Sequence, residues 1–276
     1  MNAISETDPD SNVAVQTSAA RGASGARVTA ITSGKGGVGK TFIAANLAAA
    51  LARRGERVLV LDADLGLANL DVVLNLSSKC TLHDVFTGRV RLDDAVLPAP
   101  GGFSVLLAGS GMLEYSRLTS DVRDKLLEAV AQVRPQFDHV LLDTGAGISD
   151  VVLYTVSLAD EVLVVTTPEP TALADAYATI KVLATTQDRR SLRLLVNQVQ
   201  RTGDGRAVRG QLQQVVDRFV SPALGHALSL SLLGAVPLDA AVREAVQRRQ
   251  VLMETMPGSE AAKAIALAAG QLLVEA

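Results

Sequence analysis

The residues best suited to chemistry in this chain are Ser33 to Thr41, SGKGGVGKT. From Gly34 through Thr41 they fit the pattern G-x-x-x-x-G-K-[ST], a loop whose backbone N–H groups cradle a polyphosphate. Lys40 would reach the outer phosphates, and the Thr41 hydroxyl would hold Mg²⁺. The loop carries a second lysine, Lys35, directly after its first glycine. One pocket does not need two lysines. Lys35 could instead point away and neutralise phosphate on a partner's nucleotide, so that two subunits close face to face. Spacing alone leaves a solvated loop charge as an equal alternative.

Acidic residues recur where such a loop would need them. Arg57-Val-Leu-Val-Leu-Asp62 reads as a buried strand, and Asp64 follows one residue later. Asp138-His-Val-Leu-Leu-Asp143 reads as another, with Thr144-Gly-Ala-Gly-Ile-Ser149 behind it. An apolar strand ending in a carboxylate that reaches the Mg²⁺ shell is a Walker B pattern. The glycines after Asp143 suggest a mobile loop. His83 has no nearby Cys or His partner and reads as structural, and Cys80 as an ordinary thiol near a helix start.

The elements that must position these residues alternate along the chain. Arg27-Val-Thr-Ala-Ile-Thr32 precedes the loop as a strand, and Phe42 to Ala52 follows it as a helix rich in small residues. Further strands are expected at Phe103–Ala108, Glu161–Thr166, Leu192–Val196 and Leu232–Val236. Helices are expected at Thr81–Gly88, from a Ser120 cap to before Pro135, over Ala172–Thr185, from Asp239 through Arg249, and over Ser259–Val274. Another carries the stripe Val208, Leu212, Val215, Val216 and Phe219. Continuous apolar strands alternating with helices predict an α/β fold, a single doubly wound, mostly parallel sheet flanked by helices. It occupies 27–276, behind a disordered arm over 1–26 that is rich in Ser, Ala, Asp, Thr and Gly.

Composition narrows the function classes. With 276 residues and 48% hydrophobic content, the chain suffices for one large domain. A net charge of −3 supplies no field to gather DNA. Aromatics at 3% and no Trp make stacking platforms for single strands a poor fit. One cysteine makes no internal disulfide and no cluster site within one chain. With no signal-peptide pattern and no transmembrane-length apolar run, a cytoplasmic protein is expected.

The segment Lys35 to Thr41 matches K-G-G-x-G-K-[ST] and resembles the deviant Walker A ATPases, the group of MinD and ParA. The resemblance runs from about Arg27 to Leu273. Asp62-Ala-Asp-Leu-Gly-Leu-Ala-Asn-Leu-Asp71 looks like the switch I segment of the MinD group. Asp143 to Ser149 and Thr166 to Tyr177 look closer still to the FlhG/FleN regulators of flagellar number and placement. The resemblance implies an ATPase that dimerises on Mg·ATP and hydrolyses it slowly. MinD-like division placement, ParA-like partition and a non-enzymatic nucleotide-gated scaffold stand as alternatives. It further implies ATP contacts from Gly34, Lys35, Gly36, Gly37, Val38, Gly39, Lys40, Thr41 and Phe42. Thr41, Asp62 and Asp143 would organise Mg²⁺, Asp64 would orient the attacking water beside Lys35 and Lys40, and Asn197, Pro237 and Asp239 would frame the adenine. Lys35, Glu169 and Asp175 would build the homodimer interface. The FlhF GTPase or other flagellar proteins are the implied partners, although Met1 to Ala26 lacks the motif with which many members stimulate FlhF. The family places such proteins at the inner face of the cell membrane through a basic amphipathic tail. Here no Lys or Arg follows Lys263, so the last helix is expected to pack on the core with weak or no membrane contact.

Overall fold

The computed structural model describes residues 25–274 apart from 67, 110–114 and 116. Eight strands form one sheet in the order β3-β4-β2-β5-β1-β6-β7-β8. They are β1 (Arg27–Ser33), β2 (Val58–Ala63), β3 (Val96–Pro98), β4 (Ser104–Leu106), β5 (His139–Ala146), β6 (Glu161–Thr166), β7 (Ser191–Val199) and β8 (Ser229–Pro237). All neighbours run parallel except β3 with β4. The antiparallel edge strand escapes a reading of the sequence because it is three residues long and ends in Pro98. Proline is tolerated at such an edge, where no inward ladder bond is needed.

From β1 the chain winds outward through β2 to β4, returns to place β5 beside β1, then winds the other way through β6, β7 and β8. Such a reversal leaves a crevice at the carboxyl edge of the sheet. The central strands β1, β2, β5 and β6 are buried on both faces. Below one face lie α1 (Lys40–Ala52), α2 (Leu70–Leu74), α10 (Ala240–Arg248), α11 (Leu252–Thr255) and α12 (Glu260–Val274). Against the other lie α3 (Leu82–Phe86), α5 (Ser120–Val133), α6 (Asp150–Ser157), α7 (Pro170–Gln187) and α8 (Asp204–Phe219). The short α4 (Leu92–Ala95) and α9 (Ser221–Leu224) complete the element order.

Several local expectations need correction. Thr119, rather than Ser120, caps α5, its hydroxyl accepting the Val122 N–H. The loop expected after Asp143 begins only at Gly147, because β5 continues through Gly145 to Ala146, which pairs with Ser33 across a register shift. Helix α6 carries β-branched residues that read as strand by propensity, but the Ser149 hydroxyl caps it and Val151, Val152 and Val156 bury against the sheet. On α8 only Val208, Leu212 and Val216 face inward, while Phe219 is 55% exposed. The expected arm falls outside the described residues as far as 24, and Ala26 already belongs to the fold: it is buried and its N–H donates to the Arg134 carbonyl. Helix α12 does pack on the core, burying Ala261, Ala262, Ile265, Ala268, Ala269 and Leu272 against α1 and β8. No helix among the described residues is long and apolar enough to cross a membrane.

At the opposite edge of the sheet from the loop, His139 is buried at 6% exposure with no hydrogen-bond partner for Nδ1. Burial holds its pKa below the ordinary value, although Glu56, 3.8 Å from Nε2, pulls the other way. Arg27 opposes protonation, while Asp138 and Glu161 favour it weakly. The unfolded chain therefore takes up this proton first, and the contribution of His139 lowers the stability of the fold as pH falls below about 6.5. His139→Phe should lose less stability than the unmodified chain between about pH 7 and about pH 5. Urea midpoints at the two pH values check this, and equal losses would remove His139 as a source of acid sensitivity.

Candidate functional site

The loop of residues 34–39 joins β1 to α1, and its glycines are there for distinct reasons. A Cβ on Gly34 would sit 2.1 Å from the Asp175 carbonyl oxygen of α7, so only hydrogen fits. Gly37 and Gly39 have φ of 80° and 96°, the left-handed region that strains other residues. Gly39 is the N-cap of α1, and no side chain caps that end. The first-turn N–H groups therefore point at whatever anion the loop encloses.

Strand register then sets the acids around the loop. Asp62 of β2 lies directly beside Asp143 of β5 in the parallel ladder, and Asp143 lies beside Ile31 of β1. Both carboxylates are buried, at 1% and 2% exposure. Asp62 accepts the N–H groups of Asp64 at 3.2 Å and Leu70 at 3.4 Å. Burial, reinforced by Asp143, pushes its pKa well above the usual carboxylate range. Burial likewise pushes Asp143 up to about 6, against a hydrogen bond from Thr41 and the charge of Lys40. Lys40 is pulled down by its own burial and held up by Asp143 and Asp64.

Two adjacent buried carboxylates with one nearby lysine leave surplus negative charge, and Oδ1 of Asp143 has no hydrogen-bond partner. Oxygen donors arranged in this way fit a hard divalent cation. Thr41, Asp143 and Asp62 would hold it. Asp64 lies above Gly145, where a Cβ would come within 3.3 Å of its Oδ1. The Gly147 N–H donates to the Ser33 carbonyl at 2.8 Å, tying the end of β5 to the base of the loop.

Two cavities open on the loop. One, of about 600 Å³, is lined by Gly36, Lys40, Thr41, Asp64 and Gly145 among others. The second, of about 620 Å³, is lined by Asn197, Pro237 and Asp239, and the two share Gly37, Gly39, Phe42 and Val246. A chain of phosphates in the first and a heterocyclic base in the second would match their linings. Asp239 shapes the second through its scaffold: one oxygen caps α10 at the Ala241 N–H and the other accepts the Ala261 N–H of α12. Asn197 holds the Val38 carbonyl at 2.8 Å. Val242 and Val246 of α10 join this wall without any sequence motif to announce them; only their four-residue spacing places them on one face.

Lys35 lies apart from this cluster. Its Nζ is 3.2 Å from Glu169 and donates to the Thr171 hydroxyl at 3.0 Å. The ion pair is solvent-exposed, at 39% and 63% for the two side chains. Asp175 meets the loop through its backbone, beneath Gly34.

The ParA family model, described as an NUBPL iron-transfer P-loop NTPase, matches residues 25–273. The chain is 42% identical over 238 residues to the antiactivator FleN of Pseudomonas aeruginosa, covering 86% of this chain and 83% of that protein. It is 34% identical over 246 residues to the flagellum site-determining protein YlxH of Helicobacter pylori, covering 88% and 81%. The septum site-determining protein MinD of Pyrococcus horikoshii, solved with Mg-ADP, superposes with a TM-score of 0.72 at 28% identity, covering 90% of this chain and 96% of that one.

The raised pKa of Asp143 carries a sign that can be measured. Its carboxylate is costly to bury, so the contribution of Asp143 makes the metal-free fold more stable as pH falls through about 6 toward the ordinary carboxylate value. Asp143→Asn removes that cost at neutral pH, and a shift of two units corresponds to roughly 3 kcal/mol at most. The variant should melt higher than the unmodified chain in chelator, by scanning calorimetry at neutral pH. A lower melting temperature would mean that Asp143 stabilises the fold instead.

Proposed function

The chain belongs to the ParA family of P-loop NTPases, and from that membership we propose that it is an ATPase switch, dimerising on Mg·ATP, hydrolysing it slowly and regulating flagellar number or placement. The observation that carries the dimerisation reading is the separation of the two loop lysines. Lys40 is drawn toward Asp143 and Asp64, whereas Lys35 lies outside against Glu169 and Thr171. A lysine placed outside its own pocket is available to a second subunit's phosphates.

The proposed part of each residue draws on its position in the site. Lys40 and the N–H groups at the start of α1 bind the phosphate chain. Thr41, Asp62 and Asp143 would hold Mg²⁺, which would supply charge neutralisation on the phosphates. Asp64, beside Gly145, orients the attacking water. Catalysis of this kind is positioning and electrostatics, with no covalent step. The second cavity receives the adenine, and Glu169 and Asp175 contribute to the interface around Lys35. The flagellar assignment draws on the likeness to FleN and to YlxH, which spans most of each protein. The iron-transfer description of the family model is not carried over, since one cysteine per chain offers a cluster a single thiolate.

Lys40→Ala should weaken Mg·ATP binding by roughly ten- to a hundredfold, the loss of a charge-assisted contact, while the fold survives. Calorimetric titration of the folded variant checks this, and undiminished affinity would sink the phosphate-site assignment. Asp64→Ala should bind Mg·ATP normally, lose turnover and accumulate as a dimer, because water positioning acts mainly in the transition state. Adding Lys35→Ala in that background should shift sedimentation back toward monomer. A double variant that still dimerises fully would reduce Lys35 to a surface charge. In the source organism, deletion should change flagellar counts or positions; normal flagella with misplaced septa would move the reading to cell division.

A further inference from the structure

We propose that Asn197 is a positioning residue for the phosphate loop, and that its amide locks the Val38–Gly39 peptide. Asn197 sits at the carboxyl end of β7, two strands from β1, and is 5% exposed. Its Nδ2 donates to the Val38 carbonyl at 2.8 Å, and its Oδ1 accepts the Gln198 N–H at 2.9 Å. The carboxamide thus spans the gap between the loop and its own strand end. That strand end is itself bent to serve the contact. Gln198 has a left-handed φ of 59°, and the β7–β8 register shifts between Asn197 and Val199.

The contact falls at the crest of the loop. Val38 is 3% exposed and lies between two left-handed glycines, Gly37 and Gly39. A Cβ on Gly39 would stand 2.5 Å from Nδ2 of Asn197, so the missing side chain of one residue makes room for the amide of the other. A trans peptide directs its carbonyl and the following N–H to opposite sides. Fixing the Val38 oxygen on Asn197 therefore fixes the Gly39 N–H on the other side. Without the donor, a buried carbonyl would lose its partner and the peptide leading into the permissive Gly39 would gain freedom to rotate. Asn197 also lines the second cavity, so the same amide couples that cavity to the conformation of the phosphate cradle.

This inference rests on reading the loop as a polyphosphate site, and the test separates the two. The isosteric Asn197→Asp keeps an acceptor for the Gln198 N–H and loses the donor to Val38. It serves as the principal variant, with Asn197→Ala beside it should that fold. In the nucleotide-free chain, backbone amides over 36–40 should exchange with deuterium about tenfold faster, while the amides of β7 keep their protection. Affinities for Mg·ATP and for Mg·tripolyphosphate, which has no base, should fall by the same factor, again about tenfold. Unchanged loop exchange in Asn197→Asp, a loosening of β7 as a whole, or a loss confined to ATP would overturn the clamp. Failure of the unmodified chain to bind either ligand would overturn the polyphosphate reading instead, while the exchange measurement would still decide the clamp.

Discussion

Asp62 and Asp143 are buried side by side, and most of the site's properties follow from that pairing. Among the described residues, neither carboxylate is neutralised by a buried cation of its own. Lys40 is nearby but is itself destabilised by desolvation. A fold optimised for stability alone would not retain such a pair, since burying charge without full compensation costs several kcal/mol. On the proposed reading the stored charge would become useful once a divalent cation and phosphates entered, because the same low dielectric that penalises the acids would strengthen their hold on a metal. The buried acids, the uncapped start of α1 and the glycine loop are then three parts of one electrostatic arrangement, in which negative and positive ends await a ligand that carries both signs.

The parallel sheet makes this arrangement possible at little cost to the core. The ladder places β2, β5 and β1 in register, so residues far apart in sequence arrive at one height on the carboxyl edge. Apolar residues fill the strands below that edge, and polarity begins where the strands end. The reversal of winding beside β1 keeps helices from covering this edge, and the crevice stays open for the loop. Opposite it, His139 and its charged neighbours belong to the stability of the fold.

Legibility in the sequence tracks how local each constraint is. The phosphate loop was readable because its glycines and lysine meet backbone and charge demands within eight residues. Asp62 and Asp143 were readable because apolar runs end in acids. What escaped was decided at long range or by competing local preferences. The Asn197–Val38 bond spans 159 positions and the Lys35–Glu169 contact 134, and no spacing rule reaches that far. Helix α6 was hidden by its β-branched residues until the Ser149 cap and tertiary burial overrode propensity. The extension of β5 was hidden by Gly145, which leaves room for Asp64 rather than marking a turn, whereas Gly147 with its left-handed φ does end the strand.

The contact between Lys35 and Glu169 bears on how such a site would act as a switch. An exposed ion pair of this kind contributes about 0–1 kcal/mol, so it orients Lys35 without committing it. A lysine–phosphate contact shielded from water contributes roughly 1.5 to 3 kcal/mol. In the proposed dimer each subunit exchanges the first contact for the second, and the exchange is favourable only when a triphosphate is present to receive the lysine. With one phosphate fewer the gain shrinks, and the repulsion between facing nucleotides returns as soon as either lysine withdraws. Because a two-fold dimer makes the exchange twice, a modest difference at each lysine is doubled in the association free energy. In the proposed dimer, the weakness of the resting contact would therefore let the phosphate state, rather than the protein, decide the assembly.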